Sequence, residues 1–167
     1  MRRTLLITAP LLAVLAACGT SLPPAAPVAP PGPSTPAPPP PPTLGAEQRR
    51  LAALFEGTPV VFAMQRDGSL RVTVPLHYCF DQGLARVKRP LGAVLDRLAK
   101  SQLQATSTFR VAAPSDAGAR GLDLARERAL ATRDYLMGQR LAPTRLQVAG
   151  AAQTEGIEIV VTDSPAH

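Results

Sequence analysis

The chain has 167 residues, 46% hydrophobic and 18% charged, with a formal net charge of +6. That is enough for one globular domain with a core of its own and too little for two of ordinary size. Its only long apolar run lies within residues 1–17 and spans about ten residues, well short of the roughly 20 a membrane-spanning helix needs, so a polytopic membrane protein is excluded. There is no tryptophan, only four phenylalanines and two tyrosines, and from residue 49 onward the arginines are scattered along the chain. A nucleic-acid binder would gather its basic residues on one face and add aromatic stacking platforms, so no nucleic-acid partner is expected.

At the start, Arg2 and Arg3 form a positive n-region, the apolar run an h-region, and Ala16 and Ala17 supply the small residues a signal peptidase requires. Residues 1–17 are therefore read as an export signal and kept out of the fold. The string Leu15-Ala16-Ala17-Cys18 resembles the lipobox of bacterial lipoproteins, in which the cysteine thiol is acylated and becomes the first mature residue. The resemblance implies lipidation at Cys18 and membrane attachment through that anchor. Gly19 stands where enteric lipoproteins held at the inner membrane carry aspartate, so the implied address is the outer membrane, with the domain in the periplasm. With Cys18 consumed, Cys79 has no partner for an internal disulfide.

Twelve of the 19 prolines fall in residues 23–42, a stretch without one charge. Such a segment builds neither helix nor ladder and favours an extended polyproline II spacer of about 3.1 Å per residue, which gives it a reach of roughly 60 Å. Residues 18–43 are expected to be a disordered tether that lets a lipid-anchored domain work away from the bilayer.

Residues 44–55, with Leu51, Leu54 and Phe55 at helical spacing, predict a short lead-in helix, which with its exit forms a lead-in segment at 44–57. Residues 58–65 and 70–80 are rich in β-branched and aromatic side chains and are separated by Asp67-Gly68, a hairpin signal. In the second strand the even positions from Leu70 to Phe80 predict a core face that includes Leu76 and Tyr78, while Arg71, Thr73, Pro75, His77 and Cys79 take the other face. Pro75 removes a ladder donor and suggests an edge or a bulge. Residues 89–100 predict an amphipathic helix with Pro90 in its first turn and Leu91, Val94, Leu95 and Leu98 on one stripe. A strand at 107–112 and a loop at 116–121 follow. A second helix is predicted at 122–137, with Leu124, Ala125, Ala129, Thr132 and Leu136 on its buried side and Gly138 as its stop. Strands at 145–149 and 157–161 complete the order ββαβαββ, an α+β domain at 58–162 with helices on one face of a mixed sheet, followed by a tail at 163–167.

Three parts of this chain resemble OmpA-like peptidoglycan-binding domains, the module found in peptidoglycan-associated lipoproteins. The run Phe80-Asp81-Gln82-Gly83-Leu84-Ala85-Arg86-Val87-Lys88-Arg89-Pro90 before a leucine-striped helix is similar to that family's opening. Ala113-Pro114-Ser115-Asp116 sits where the family's strand ends in Gly-His-Thr-Asp. Leu124-Ala125-Arg126-Glu127-Arg128-Ala129 is similar to the Leu-Ser-x-x-Arg-Ala core of its second helix. Thr154-Glu155-Gly156 replaces the family's Asn-Arg-Arg before the last strand, removing polar contacts and adding a negative charge. The resemblance implies that Asp116 accepts from the ammonium and Arg128 holds a carboxylate of diaminopimelate in the peptidoglycan stem peptide, a pairing of charge-assisted hydrogen bonds suited to such a ligand. Asp116 is expected in a loop and Arg128 at the helix end nearest it, both outside the core. Read without the resemblance, Asp116 would be a solvated turn residue or a helix cap, and Arg128 an exposed helical arginine.

Two functions stay open. One is an outer-membrane lipoprotein that tethers the membrane to the wall by noncovalent peptidoglycan binding. The other is a degenerate OmpA-like domain that docks protein partners of an envelope or secretion assembly. Enzyme chemistry fits poorly. His77 and Cys79, two apart on one strand, are the only pair that could mimic a thiol and imidazole, and they lack an orienting third group. Metal sites need three or four ligands, so neither metal nor cofactor is expected.

Overall fold

The computed structural model describes residues 43–116 and 121–164. The signal, lipidation and tether expectations, Cys18 included, lie outside them, as do residues 117–120 of the loop before the second long helix. The elements run α1 (Leu44–Leu54), β1 (Val61–Met64), β2 (Leu70–Pro75), α2 (Leu76–Cys79), α3 (Arg89–Gln102), β3 (Thr108–Ala112), α4 (Gly121–Gly138), a 3-10 turn (Pro143–Arg145), β4 (Leu146–Val148) and β5 (Gly156–Thr162).

The strands form one mixed sheet in the order β1-β2-β5-β3-β4. Its ladders are antiparallel except for the parallel pair β3 and β4. Strand register turns the period-2 pattern into rows of apolar side chains. Phe62, Val72, Ile159, Val111 and Val148 stand opposite one another across all five strands, and Leu70, Val161, Phe109 and Leu146 form a second row. Residues directly opposite share a face. These rows, with Val74 and Ile157, are the floor on which Leu44 and Leu51 of α1, Leu91, Val94, Leu95 and Leu98 of α3, and Ala125, Ala129 and Leu136 of α4 bury themselves as one core. The alternate rows put Arg71, Val160, Arg110 and Gln147 on the opposite face. The expected α+β architecture, helices on one face of a mixed sheet, is therefore what the chain adopts.

The hairpin between β1 and β2 closes as its Asp-Gly signal suggests. Gly68 N–H donates to the Gln65 carbonyl at 3.1 Å, and Gly68 takes φ +80°, the left-handed position that a three-residue hairpin loop needs. Asp67 Oδ1 accepts from both the Ser69 N–H and hydroxyl, at 3.0 and 2.6 Å, and the Ser69 hydroxyl holds the Asp67 carboxyl below its ordinary range. At the sheet edge, Gln48 Nε2 of α1 donates to the Phe62 carbonyl of β1 at 3.0 Å, so the lead-in helix satisfies an acceptor that an edge strand would otherwise leave open.

Three expectations are corrected. The second strand stops at Pro75, and Leu76–Cys79 makes one helical turn closed by Phe80 N–H to the Leu76 carbonyl at 3.0 Å. Tyr78 is consequently exposed and Cys79 buried, the reverse of the strand assignment. Pro75 is neither on an edge strand nor at a bulge, because β2 is interior. The bond from Leu76 N–H to the Glu155 carbonyl turns the Pro75 nitrogen away from β5, past the end of β1, where no ladder donor is required. Finally, α4 does end at Gly138, yet the left-handed residue is Arg140, at φ 71°. Leu141 N–H bonds the Leu136 carbonyl and Arg140 N–H the Met137 carbonyl, at 3.3 and 3.0 Å, which is a Schellman closure with Leu141 packed in the core.

Candidate functional site

A cleft of about 930 Å³ opens where the C-terminal end of β2, the start of β5 and the loop after β3 converge. Its walls are lined by Thr73, Pro75, Leu76 and His77 from β2 and the turn after it, by Phe80, Asp81, Gln82 and Lys88 from the loop that follows, by Glu155 and Gly156 at the start of β5, and by Asp116 and Arg128. Local sequence dictates this shape. Residues 76, 79 and 80 have the i, i+3, i+4 spacing of a helical turn, and this turn folds the chain back so that Phe80 reaches the core while His77 faces solvent. Gly156 lies opposite Pro75 in the ladder, and a Cβ there would run into the Val74 carbonyl oxygen. Only glycine lets the two strands close at this wall.

The structure brings Asp116 and Arg128 together, but as partners of each other. Arg128 Nη1 donates to Asp116 Oδ1 at 2.6 Å and Nη2 to Oδ2 at 3.2 Å, while Nε donates to the Leu84 carbonyl at 3.0 Å. The guanidinium also lies 5.6 Å from the centre of the Phe80 ring. Two parallel bonds make this a fork-to-fork pair. Arg128 is the largest fully buried side chain among the described residues, at 1% exposure, whereas the Asp116 side chain keeps 31%. The expectation that Arg128 lies at the helix end and outside the core is therefore corrected. It sits two turns into α4, on the same stripe as Ala125, Ala129, Thr132 and Leu136. That stripe was visible in the sequence, since 128 lies three after Ala125 and four before Thr132. Charge alone made the position look like an outside one.

Among the described residues, Lys88, Asp81 and Glu155 are the other ionic groups of the cleft lining. Lys88 Nζ lies 3.1 Å from Asp81 Oδ1 and donates to the His77 carbonyl at 3.1 Å. Glu155 is exposed, and among the described residues its carboxylate makes no ion pair or side-chain hydrogen bond. The sequence marked Glu155 as a departure from the family pattern without assigning it to the cleft wall.

The thiol and imidazole do not form a pair. Cys79 Sγ donates to the Val74 and Pro75 carbonyls, both at 3.3 Å, and burial pushes its pKa up to about 12, so it holds no thiolate at neutral pH. Among the described residues no group of three or more His, Cys, Asp or Glu side chains is placed to hold a metal ion, and no helix is long and apolar enough to cross a membrane.

No protein-family model matches the chain, and no curated protein sequence matches it. Solved structures do. A putative MotB-like protein from Desulfovibrio vulgaris is 15% identical with a TM-score of 0.59, over 72% of this chain and 92% of that one. The cell wall anchor of the T6SS from Pseudomonas aeruginosa is 19% identical with a TM-score of 0.58, over 70% and 97%. The periplasmic domain of Helicobacter pylori MotB (residues 90-256) is 16% identical with a TM-score of 0.54, over 70% and 85%. At such identities the likeness establishes architecture alone, and the architecture is that of the OmpA-like fold.

Proposed function

We propose that this chain is a wall-binding envelope protein, anchored by lipid at Cys18, spaced by residues 18–43, and carrying a domain whose cleft takes the stem peptide of peptidoglycan noncovalently. The observation that carries this is the cleft itself, a concave site at the strand ends lined by the Asp116–Arg128 pair, with the arginine buried and the carboxylate partly exposed. Such a site suits a short ligand bearing charges on a flexible chain. Similarity in fold to a protein described as a cell wall anchor supports the same reading. The domain acts as a binding module and not as a catalyst, in a periplasmic setting consistent with an export signal, and outer-membrane delivery follows from Gly19.

A diacylglycerol on Cys18 supplies apolar burial that holds a protein at a membrane, and no helix among the described residues is long and apolar enough to do so by spanning it. Cys18→Ser should therefore yield a soluble protein, and mass spectrometry of the mature N-terminus should find acyl chains on Cys18 of the parent. An unmodified chain starting elsewhere would refute the anchor.

The soluble Cys18→Ser chain also allows the binding test. It should co-sediment with purified sacculi, and adding Asp116→Asn should weaken that roughly tenfold, the loss expected when one charge-assisted hydrogen bond to a ligand is removed. Asparagine keeps an acceptor for Arg128, so circular dichroism should be unchanged. Equal binding with and without the substitution would remove the site from the cleft. Absence of binding by the parent would favour a domain that docks protein partners of an envelope or secretion assembly.

A further inference from the structure

We infer that the cleft recognises its ligand through a primary ammonium group and disfavours free carboxylates, so that among stem peptides it selects those whose diaminopimelate carboxylate is amidated, with Glu155 as the specificity-determining residue. This rests on the wall-binding reading and names the ligand class of the same cleft.

The bonding of each ionic group leads there. The Arg128 fork, which could have grasped a ligand carboxylate, is filled by both Asp116 oxygens, and its Nε is committed to the Leu84 carbonyl. Its side chain is 2% exposed, so it offers no second fork. A ligand carboxylate would have to displace Asp116 and leave that charge without its partner. Lys88, the other cation of the wall, is engaged by Asp81 and the His77 carbonyl.

The acids are in the opposite condition. Asp116 retains part of its surface toward the cleft, the Asp81 side chain is 61% exposed, and Glu155 has no ionic partner among the described residues. Among the described residues the cleft lining thus sets two cations, both engaged, against three carboxylates, one of them unengaged. An ammonium entering here meets acceptors without displacing anything. A carboxylate meets net negative charge in a recess that concentrates the field. A neutral amide escapes that repulsion and can bond to the Thr73 hydroxyl or the Gln82 amide, which also line the cleft.

Glu155 is held in place for this role by its backbone. Its carbonyl accepts the Leu76 N–H at 3.3 Å, and the next residue, Gly156, is locked against Val74 by the absence of room for a Cβ. Discrimination by a repulsive group is a common way to build specificity.

The test is calorimetric titration of the full Cys18→Ser chain at low salt with three synthetic peptides. The first is N-acetyl-L-Ala-γ-D-Glu-meso-diaminopimelate, whose one amine is that of the diaminopimelate side chain. The second carries the diaminopimelate side-chain carboxylate as an amide. The third is the second with its side-chain amine acetylated. The amidated peptide should bind on the order of tenfold more tightly than the free acid, a difference of one charge-assisted contact, and acetylation should abolish binding. Glu155→Gln should narrow the gap between the first two peptides, and Glu155→Arg should close or invert it. Tighter or equal binding of the free acid by the parent overturns the inference while leaving wall binding intact, as does undiminished binding of the acetylated peptide. A preference that Glu155→Arg does not alter overturns the role of Glu155. Binding of none of the three removes the wall-binding reading and this inference with it.

Discussion

Arg128→Ala should cost about 3 kcal/mol of folding stability, the lower end of the range for breaking a buried ion pair by removing one partner. The lower end applies because Asp116, with 31% of its side chain exposed, can rehydrate once unpaired. The Leu84 carbonyl would lose its Nε donor and the Phe80 ring its cation. In urea the unfolding midpoint should fall with the slope unchanged, and in a domain of this size the melting temperature should drop by roughly 10 to 25 °C. Pairing Arg128→Ala with Asp116→Ala should recover part of the loss, because the second change removes the charge the first left unpaired. An unaltered midpoint in Arg128→Ala would show that the guanidinium is hydrated in solution. Loss of sacculus binding in Arg128→Ala would not by itself identify a ligand contact, since the same change loosens the lining of the cleft. Asp116→Asn and the Glu155 variants carry the functional test for that reason.

Phe109→Ala is expected to lower stability by about 3 to 5 kcal/mol, the usual loss when a buried phenylalanine leaves a cavity that cannot collapse. Phe109 is 1% exposed and stands between Val161 and Leu146 in the second apolar row, with the Arg145 guanidinium 5.6 Å from its ring centre. Arg145 donates from Nε to the Ser107 carbonyl and from Nη2 to the Gln102 carbonyl, at 2.7 and 3.0 Å, so it cannot swing inward to fill the space without giving up those bonds. Against a total of about 5 to 15 kcal/mol for a natural domain, such a loss would leave a measurable unfolded fraction in urea titration well below the parent midpoint. Phe109→Leu, which keeps most of the volume, should cost less than about 1.5 kcal/mol. The chain runs on from β3 through Ala113 to Asp116, so Phe109→Ala should reduce wall binding in proportion to the fraction unfolded, and Phe109→Leu should preserve it. A small, equal loss in both variants would mean that the row is loosely packed.

Elements whose side-chain period was unambiguous were legible. The leucine stripe of α3, the Asp67-Gly68 turn and the apolar run of β5 depend on neighbours within a few residues, and the structure reproduces each. Segments where two periods fit the same letters were not legible. From Leu70 to Phe80 both the even positions and the set 76, 79, 80 are apolar, and a strand reading extends to Phe80 unless something ends it. What ends it is the meeting of Pro75 with Gly156 at the limit of the ladder, a contact between residues far apart in sequence. The α4 stop shows the same limit in reverse. Glycine is favoured at a left-handed position, yet Arg140 takes it because the placement of Leu141 in the core fixes the closure.

By itself the sequence determined the α+β class, the order of the strands and the long helices, the buried face of β2 from Leu70 to Val74 and the resemblance that singled out Asp116 and Arg128, because all of these follow from local periodicity and motif. Only the tertiary structure decided which charges meet. It buried Arg128 and filled its fork with Asp116, left Glu155 on the cleft wall without an ionic partner among the described residues, and sealed the Cys79 thiol beneath the turn that holds His77 in solvent. The physical reason is that an ionic group's chemistry is set by its burial and by partners brought from other strands and helices. A low-dielectric site makes those partners decisive, and the spacing of letters along the chain carries no record of them.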